Sequence, residues 1–143
     1  MAQDFSKNPT EMVVQAILEG RDIQEFIGKV RMPTVPELLN GFMGRRDIST
    51  EALFEQAGMS RSFGFRVLNG SRAPSRDALL RLAFVLELKI DETQQLLKAG
   101  EEATLSGSRM RDMIIMKALN DGASLGDAED ILQQSGMEPL LAK

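Results

Sequence analysis

The sequence predicts an all-α fold, and three observations indicate it. Helix-forming residue types dominate the chain, and 5 prolines and 12 glycines punctuate them. A serine, threonine or aspartate precedes most apolar stretches, where its side-chain oxygen can cap a helix. Within those stretches, apolar residues recur at the spacing of one helix face. With 143 residues, the chain has the length of one domain, or of one domain with an appendage.

Composition argues against several functional classes. The chain contains no cysteine and no histidine, so it lacks disulfides, thiolates, the usual general base and the commonest metal ligand. No glycine-rich phosphate loop and no recognisable catalytic pair of the remaining residue types is present. We therefore predict that the protein is not an enzyme and that it needs no cofactor and no metal. No apolar run reaches the length of a membrane span, and the first residues lack the hydrophobic core of a signal peptide. We therefore predict a cytoplasmic protein without a membrane partner.

Short helices are expected before residue 34. Residues 1–9 are predicted to be disordered, and residues 10–33 to form N-terminal helices. Thr10 is positioned to cap a first helix that runs to Gly20. Asp22 and Glu25 have capping-box spacing for a second helix, whose apolar face would comprise Ile23, Phe26, Ile27 and Val30. These helices are expected to pack against the core or against a dimer partner.

A capped helix and a helix-turn-helix follow. Thr34 and Glu37 have capping-box spacing for a helix that ends near Arg45–Arg46. In the segment 49–75, Ser49 and Ser60 are predicted to cap two short helices. Gly58 lies between them, Asn69–Gly70 ends the second, and an arginine-bearing loop follows. Two short helices joined by a turn of three or four residues with a glycine form a helix-turn-helix unit.

The rest of the chain repeats itself. Ser75 is predicted to cap a helix whose centre, residues 78–86, is apolar almost all round and must be covered on several sides. Asp91 and Gln94 are predicted to open its partner helix. Shifting the chain by 35 positions aligns residues 76–97 with residues 111–132 without a gap. Among the matched pairs are Arg76 with Arg111, Asp77 with Asp112, Ala83 with Ala118, and Leu97 with Leu132. Residues 101–143 are therefore predicted to form a C-terminal helical hairpin for packing or dimerisation.

Charge is unevenly distributed along this acidic chain. The net charge is −4, but residues 44–81 carry +3, whereas residues 1–43 carry −2 and residues 82–143 carry −5. Between Ser60 and Arg76 there are four arginines and no acidic residue. A local positive patch of this kind indicates a nucleic-acid partner, although less strongly than a basic domain does.

These features together resemble a known family. Residues 34–100 resemble the five-helix DNA-binding domain of the phage-repressor type, the XRE family of bacterial helix-turn-helix transcriptional regulators. The resemblance rests on the Gly58 turn, SRS at 60–62, VLNGSRAPS at 67–75, LLRLA at 79–83 and DETQQLL at 91–97. The outer segments resemble a bacterial subgroup with a second C-terminal hairpin.

The resemblance implies how the protein would work. It implies that a recognition helix at residues 61–68 enters the major groove of double-stranded DNA, in a protein that acts as a homodimer. The implied base contacts are Arg61, Ser62 and Phe65. The implied phosphate contacts are Thr50, Arg72, Arg66, Arg45, Arg46 and Arg76.

The chain also departs from the family pattern. Thr50 stands where a glutamine is usual, and Phe65 where a polar base reader is commoner. Phe54 replaces a small residue and Gly64 replaces a branched one, and we expect the two to face each other so that the swap conserves volume. Phe63 and Phe65, if both exposed, suit an alternative function. In it, the chain is a protein-interaction module on a degenerate helix-turn-helix scaffold, and it binds a protein partner through these rings and the C-terminal hairpin.

Overall fold

The structure, a computed structural model, describes residues 9–26 and 32–141, without the side chains of Pro9 and Glu25. The chain divides into two compact units, residues 1–33 and residues 34–143. Across the described residues, every regular element is a helix, which confirms the predicted fold class. The predicted disorder of residues 1–8 and the predicted helix face at Ile27 and Val30 lie outside the described residues.

The N-terminal unit contains one α-helix and one 3-10 turn. Helix α1 spans Pro9–Leu18, so Pro9 belongs to a helix and Thr10 lies inside its first turn rather than at its cap. A proline fits there because its missing N–H would have no helical partner. The second predicted helix is present as a 3-10 helix at Ile23–Glu25, and Asp22 is its N-cap, as predicted. The carboxylate of Asp22 accepts from the N–H of Gln24 at 2.9 Å, an interaction that closes a tight turn.

Three capped helices open the second unit. Helices α2, α3 and α4 span Val35–Arg46, Thr50–Gln56 and Arg61–Leu68. The hydroxyls of Thr34, Ser49 and Ser60 each accept from the backbone N–H three residues further on, at 3.3, 3.2 and 3.1 Å, as the sequence predicts. The turn between α3 and α4 passes through Gly58 at φ 75°, in the left-handed region that favours glycine.

Helices α5 and α6 form the centre of this unit and span Arg76–Val85 and Ile90–Ala99. Seven consecutive residues of α5, from Ala78 to Phe84, are buried, because α5 packs against α3, α6 and the C-terminal helix. The predicted start signal of α6 is wrong. Its N-cap is Lys89, whose N–H donates to the Glu92 carboxylate at 2.9 Å. The side chain of Gln94 instead exchanges two hydrogen bonds with the backbone of Leu105.

The internal repeat is present in three dimensions. Helices α7 and α8 span Met110–Asn120 and Leu125–Gln134, in register with α5 and α6 after a shift of 35 residues. The two Arg-Asp pairs that begin α5 and α7 bind each other reciprocally. The guanidinium of Arg76 donates to both oxygens of Asp112 at 3.2 and 3.0 Å. The guanidinium of Arg111 donates to both oxygens of Asp77 at 3.0 and 3.2 Å.

The symmetry extends to the backbone. Arg76 also donates to the carbonyls of Ala103 and Thr104, and Arg111 donates to the carbonyls 35 residues later, those of Glu138 and Pro139. Helix α5 contacts α8, and α6 contacts α7. Exchanged contacts of this kind are typical of two copies related by a twofold rotation. The second hairpin therefore completes a closed four-helix arrangement with the first.

Candidate nucleic-acid interface

Helix α4 has one buried and one exposed face. Gly64 and Val67 are buried against the core, whereas Arg61, Ser62 and Phe65 are exposed. Residues three and four apart lie on the same side of a helix, so the two faces follow from the sequence spacing. The three predicted base-contact residues thus share the outer face of α4.

Arg61 extends into solvent. Its side chain is 73% exposed, and its Nη2 lies 3.5 Å from the carboxylate of Glu51 on α3. The same guanidinium lies 5.5 Å from the ring centroid of Phe65, one turn further along α4. An ion pair between two exposed side chains contributes less than about 1 kcal/mol. Another acceptor can therefore displace Glu51 from Arg61 at a small cost in free energy. The guanidinium is therefore available to an external acceptor.

The two phenylalanines of α4 differ in exposure. Phe65 is 43% exposed, whereas Phe63 is half-buried, so only one of the two rings is exposed. The guanidinium of Arg72 lies 5.7 Å from the centroid of the Phe63 ring. The surface of α4 therefore carries two arginine–phenylalanine stacks, each with a flat cation held against an aromatic ring.

Arg72 belongs to a well-defined loop. The N–H groups of Ser71 and Arg72 both donate to the carbonyl of Arg66, in the last turn of α4. The Asn69 carboxamide accepts from the N–H of Ser71 at 2.8 Å. These bonds fix the loop against the end of α4, and the side chains of Arg66 and Arg72 are both exposed. Thr50 is half-buried in the first turn of α3, next to the cap residue Ser49.

The remaining predicted phosphate contacts have partners within the fold. Arg45 donates to the carboxylate of Glu92 and lies over the ring of Phe42, and Arg46 pairs with Glu87 at 2.7 Å. Burial favours the neutral form of Glu92, but the hydrogen bonds from Arg45 and from the Lys89 N–H outweigh it and lower the pKa of Glu92. Both arginines remain about half exposed, with side-chain exposures of 55% and 46%.

Arg76 has a structural position. Its guanidinium is bound to Asp112 and to two backbone carbonyls, and its side chain is 21% exposed. In the sequence, Arg76 is one of four arginines in a basic segment. In the folded protein, its side chain joins the two hairpins. We therefore leave Arg76 out of the proposed interface.

Comparison of the chain with protein-family models, curated proteins and solved structures gave no match. The resemblance to the XRE family accordingly rests on the residues named above. Within residues 9–26 and 32–141, no helix is long and apolar enough to cross a membrane. The same residues contain no group of three or more acidic side chains arranged to hold a metal ion.

Sequence reasoning missed two residues near α4. Glu51 pairs with Arg61, and it could have been found from its place in the first turn of the neighbouring helix. Arg81 is buried inside α5, where the sequence reads as almost wholly apolar. Its counterpart in the second repeat is Met116, and this break in the repeat was the available signal.

Proposed function

We propose that the protein is a sequence-specific DNA-binding transcriptional regulator, in which α3 and α4 form a helix-turn-helix unit and α4 enters the major groove. The observation that carries the proposal is the exposed Arg61–Phe65 stack on the outer face of a capped helix. Gly64 and Val67 anchor the opposite face of that helix, so the stack is held on a rigid element.

The proposed base contacts follow from side-chain chemistry. A guanidinium can donate two hydrogen bonds to O6 and N7 of guanine, which is the role proposed for Arg61. The Phe65 ring can pack against the methyl group of thymine, and the hydroxyl of Ser62 can donate to a base or a phosphate. Since Arg61 and Phe65 are four residues apart on one helix face, we propose that they contact neighbouring base pairs.

Phosphate contacts would position α4 on the duplex. We assign this role to Thr50, Arg66 and Arg72, which lie at the start of α3, at the end of α4 and in the following loop. Arg45 and Arg46 can contribute if phosphates replace their carboxylate partners. The segment from Ser60 to Ser75 contains no acidic residue, so the local field attracts phosphate although the whole chain is acidic.

We further propose that the protein acts as a homodimer, which would place two copies of α4 on two half-sites about one helical turn of DNA apart. The N-terminal unit offers an apolar surface for such contacts. Its large apolar side chains that are exposed, among the described residues, are Met12, Val14, Ile17, Leu18, Ile23 and Met32. Light scattering of the full chain measures the oligomeric state directly.

Selection from a random duplex library tests the function. We expect the full chain to enrich a palindromic site that contains guanine next to thymine. Affinity for that site should fall steeply between about 50 and 200 mM salt, because each phosphate contact releases counterions. Enrichment of no sequence, together with no duplex binding at low salt, would contradict the proposal.

One observation favours a second candidate, a protein-interaction module. Phe65 is exposed on α4, and Met110, Met113 and Ile131 are exposed on the C-terminal hairpin. Apolar side chains of this kind can bind another protein. If this candidate is correct, Phe65→Ala abolishes capture of a specific partner while the chain binds no duplex at any salt concentration.

A further inference from the structure

Arg81 is a buried cation that has no ion pair with any carboxylate of the described residues. The residue is 9% exposed; its Nε donates to the carbonyl of Ala57 at 2.8 Å and its Nη1 to the carbonyl of Leu140 at 2.7 Å. Among the described residues, no carboxylate forms an ion pair with Arg81, although the carboxylates of Asp77 and Glu129 act on its charge from a longer distance. Burial lowers the pKa of Arg81, but a guanidinium stays charged at neutral pH. A buried charge is costly, and a bound anion would supply the direct charged contact that this guanidinium lacks.

Arg81 lines a cavity of about 440 Å³ on the α3–α4 side of the second unit. The cavity is bordered by the turn before α4, by the loop after α4 and by the first turns of α5. Its other lining residues are Gly58, Met59, Ser60, Phe63, Arg72, Ala73, Ser75 and Ala78. None of them is acidic, so the two arginines give this cavity a positive lining.

Hydrogen-bond donors surround the cavity. Ser60 and Ser75 are the N-cap residues of α4 and α5, so the positive ends of two helix dipoles begin at its wall. Each serine hydroxyl accepts a capping bond from the backbone, at 3.1 and 3.2 Å, and keeps its own O–H to donate. The exposed guanidinium of Arg72 lies over the ring of Phe63 at the same site.

We propose that this cavity binds an oxyanion of the phosphate class. Arg81 and Arg72 would supply the charge, and the hydroxyls of Ser60 and Ser75 would donate further hydrogen bonds. A second cavity of about 650 Å³ also touches Arg81, but Asp77 and Glu138 line it and would repel an anion. The phosphate group could belong to the DNA backbone or to a free phosphorylated solute, since both present the same oxygen atoms.

The site can be tested without DNA. In an NMR titration of the full chain with inorganic phosphate, the backbone amides of Ser60, Arg72 and Ser75 should shift saturably. Sodium chloride at matched ionic strength should not reproduce these shifts. Arg72→Ala should weaken phosphate binding about tenfold, because it removes a charged hydrogen-bond donor. Arg109→Ala is the control, an exposed arginine outside both the cavity and the proposed DNA interface, and it should bind phosphate like the wild type.

The variant at Arg81 needs a different readout. Arg81→Met also removes the bonds to Ala57 and Leu140, so circular dichroism first checks that the variant folds. The decisive comparison is phosphate binding by the wild type and by Arg72→Ala, because Arg72 is exposed and its loss leaves the core intact. The folded variant should show no saturable phosphate shifts. Shifts that match those with chloride, or equal binding by wild type and Arg72→Ala, would overturn the proposal.

A titration in the presence of duplex DNA distinguishes a backbone phosphate from a free phosphorylated solute. If the duplex blocks the phosphate shifts, the site takes a backbone phosphate. If phosphate and duplex bind independently, the site takes a free solute, and phenyl phosphate should then saturate it. Either result supports the oxyanion site. A chain that binds phosphate but no duplex would contradict the proposed DNA-binding function and leave the oxyanion site intact.

Discussion

The ring of Phe54 on α3 covers Gly64 on α4 so closely that a Cβ atom at Gly64 would lie 2.5 Å from two of its ring carbons. Phe54 is 1% exposed, so the ring has no room to withdraw. The glycine thus provides the space that the phenylalanine fills, and the two helices approach each other through this pair.

Gly64→Ala should destabilise the second unit by about 2 kcal/mol. Overpacking a core costs about 1–3 kcal/mol or more, and the better helix propensity of alanine offsets about 1 kcal/mol of it. Urea unfolding of the full chain measures the change in the free energy of unfolding. The double variant Phe54→Leu/Gly64→Ala is the control, and it should recover part of the loss because the two positions are coupled. Additive effects would show that the contact does not limit stability.

The Arg76–Asp112 pair predicts a pH dependence of stability. Burial favours the neutral acid, but hydrogen bonds from Arg76 and from the Ser106 N–H outweigh it, so the pKa of Asp112 lies below its ordinary value of 3.8. The native state therefore holds this proton more weakly than the unfolded chain does. The resulting stability is complete above about pH 5 and is lost as the pH falls through 3.8 towards the lowered pKa.

Asp112→Asn should remove this contribution and cost about 3 kcal/mol at pH 7, because it leaves Arg76 without its charged partner. Between pH 5 and pH 3, its unfolding free energy should fall less than that of the wild type. Asp130→Asn, at an exposed position on α8, is the control and should retain the wild-type pH slope. Parallel curves for Asp112→Asn and the wild type would contradict the assignment.

Glu129 and its repeat counterpart Gln94 both bind the backbone of a loop through their side chains. Its two carboxylate oxygens accept from the N–H groups of Leu140, at 2.5 Å, and Leu141, at 3.1 Å. Its counterpart Gln94 accepts from Leu105 and donates back to it. Glu129→Gln should lose one accepted bond and cost about 1 kcal/mol in urea unfolding. The same change in reverse, Gln94→Glu, should cost at least as much because it loses the donated bond to Leu105. Unchanged stability in both variants would show that these bonds do not hold the two loops.

Arg61→Ala tests the proposed base contact. Loss of a bidentate contact to guanine costs about 1–3 kcal/mol of discrimination, so the variant should bind the selected site about tenfold or more weakly and tolerate other bases at that position. Arg66→Ala, a proposed phosphate contact, should instead weaken binding to all sequences alike and reduce the salt slope by about one. Competition binding with single-base variants of the selected duplex separates these effects. Unchanged base preference in Arg61→Ala would exclude it as the base reader.

The pattern of helices could be read from the sequence because local chemistry determines it. Serine and threonine hydroxyls can accept from a backbone N–H two or three residues ahead, so Thr34, Ser49, Ser60 and Ser75 mark helix starts that the structure confirms. The predicted start of α6 is wrong because its N-cap is Lys89, whose backbone N–H, and not its side chain, makes the capping bond with Glu92.

Only part of the candidate site could be predicted from the sequence. The outer face of α4 follows from the spacing of Gly64 and Val67, so the exposure of Arg61 and Phe65 could be predicted. The partners of the arginines could not, because they come from positions remote in sequence. Arg45 meets Glu92, 47 residues away, and Arg76 meets Asp112, 36 residues away.

The sequence by itself determined the helices, their caps, the glycine of the turn and the 35-residue repeat, since each depends on residues a few positions apart or on direct similarity. The tertiary structure alone decided which arginines stay free for a partner and which hold the fold together. An arginine has the same charge and reach in both roles. Its role depends on whether folding brings a carboxylate or a carbonyl to it, as with Arg76 and Arg81, or leaves it in solvent, as with Arg72.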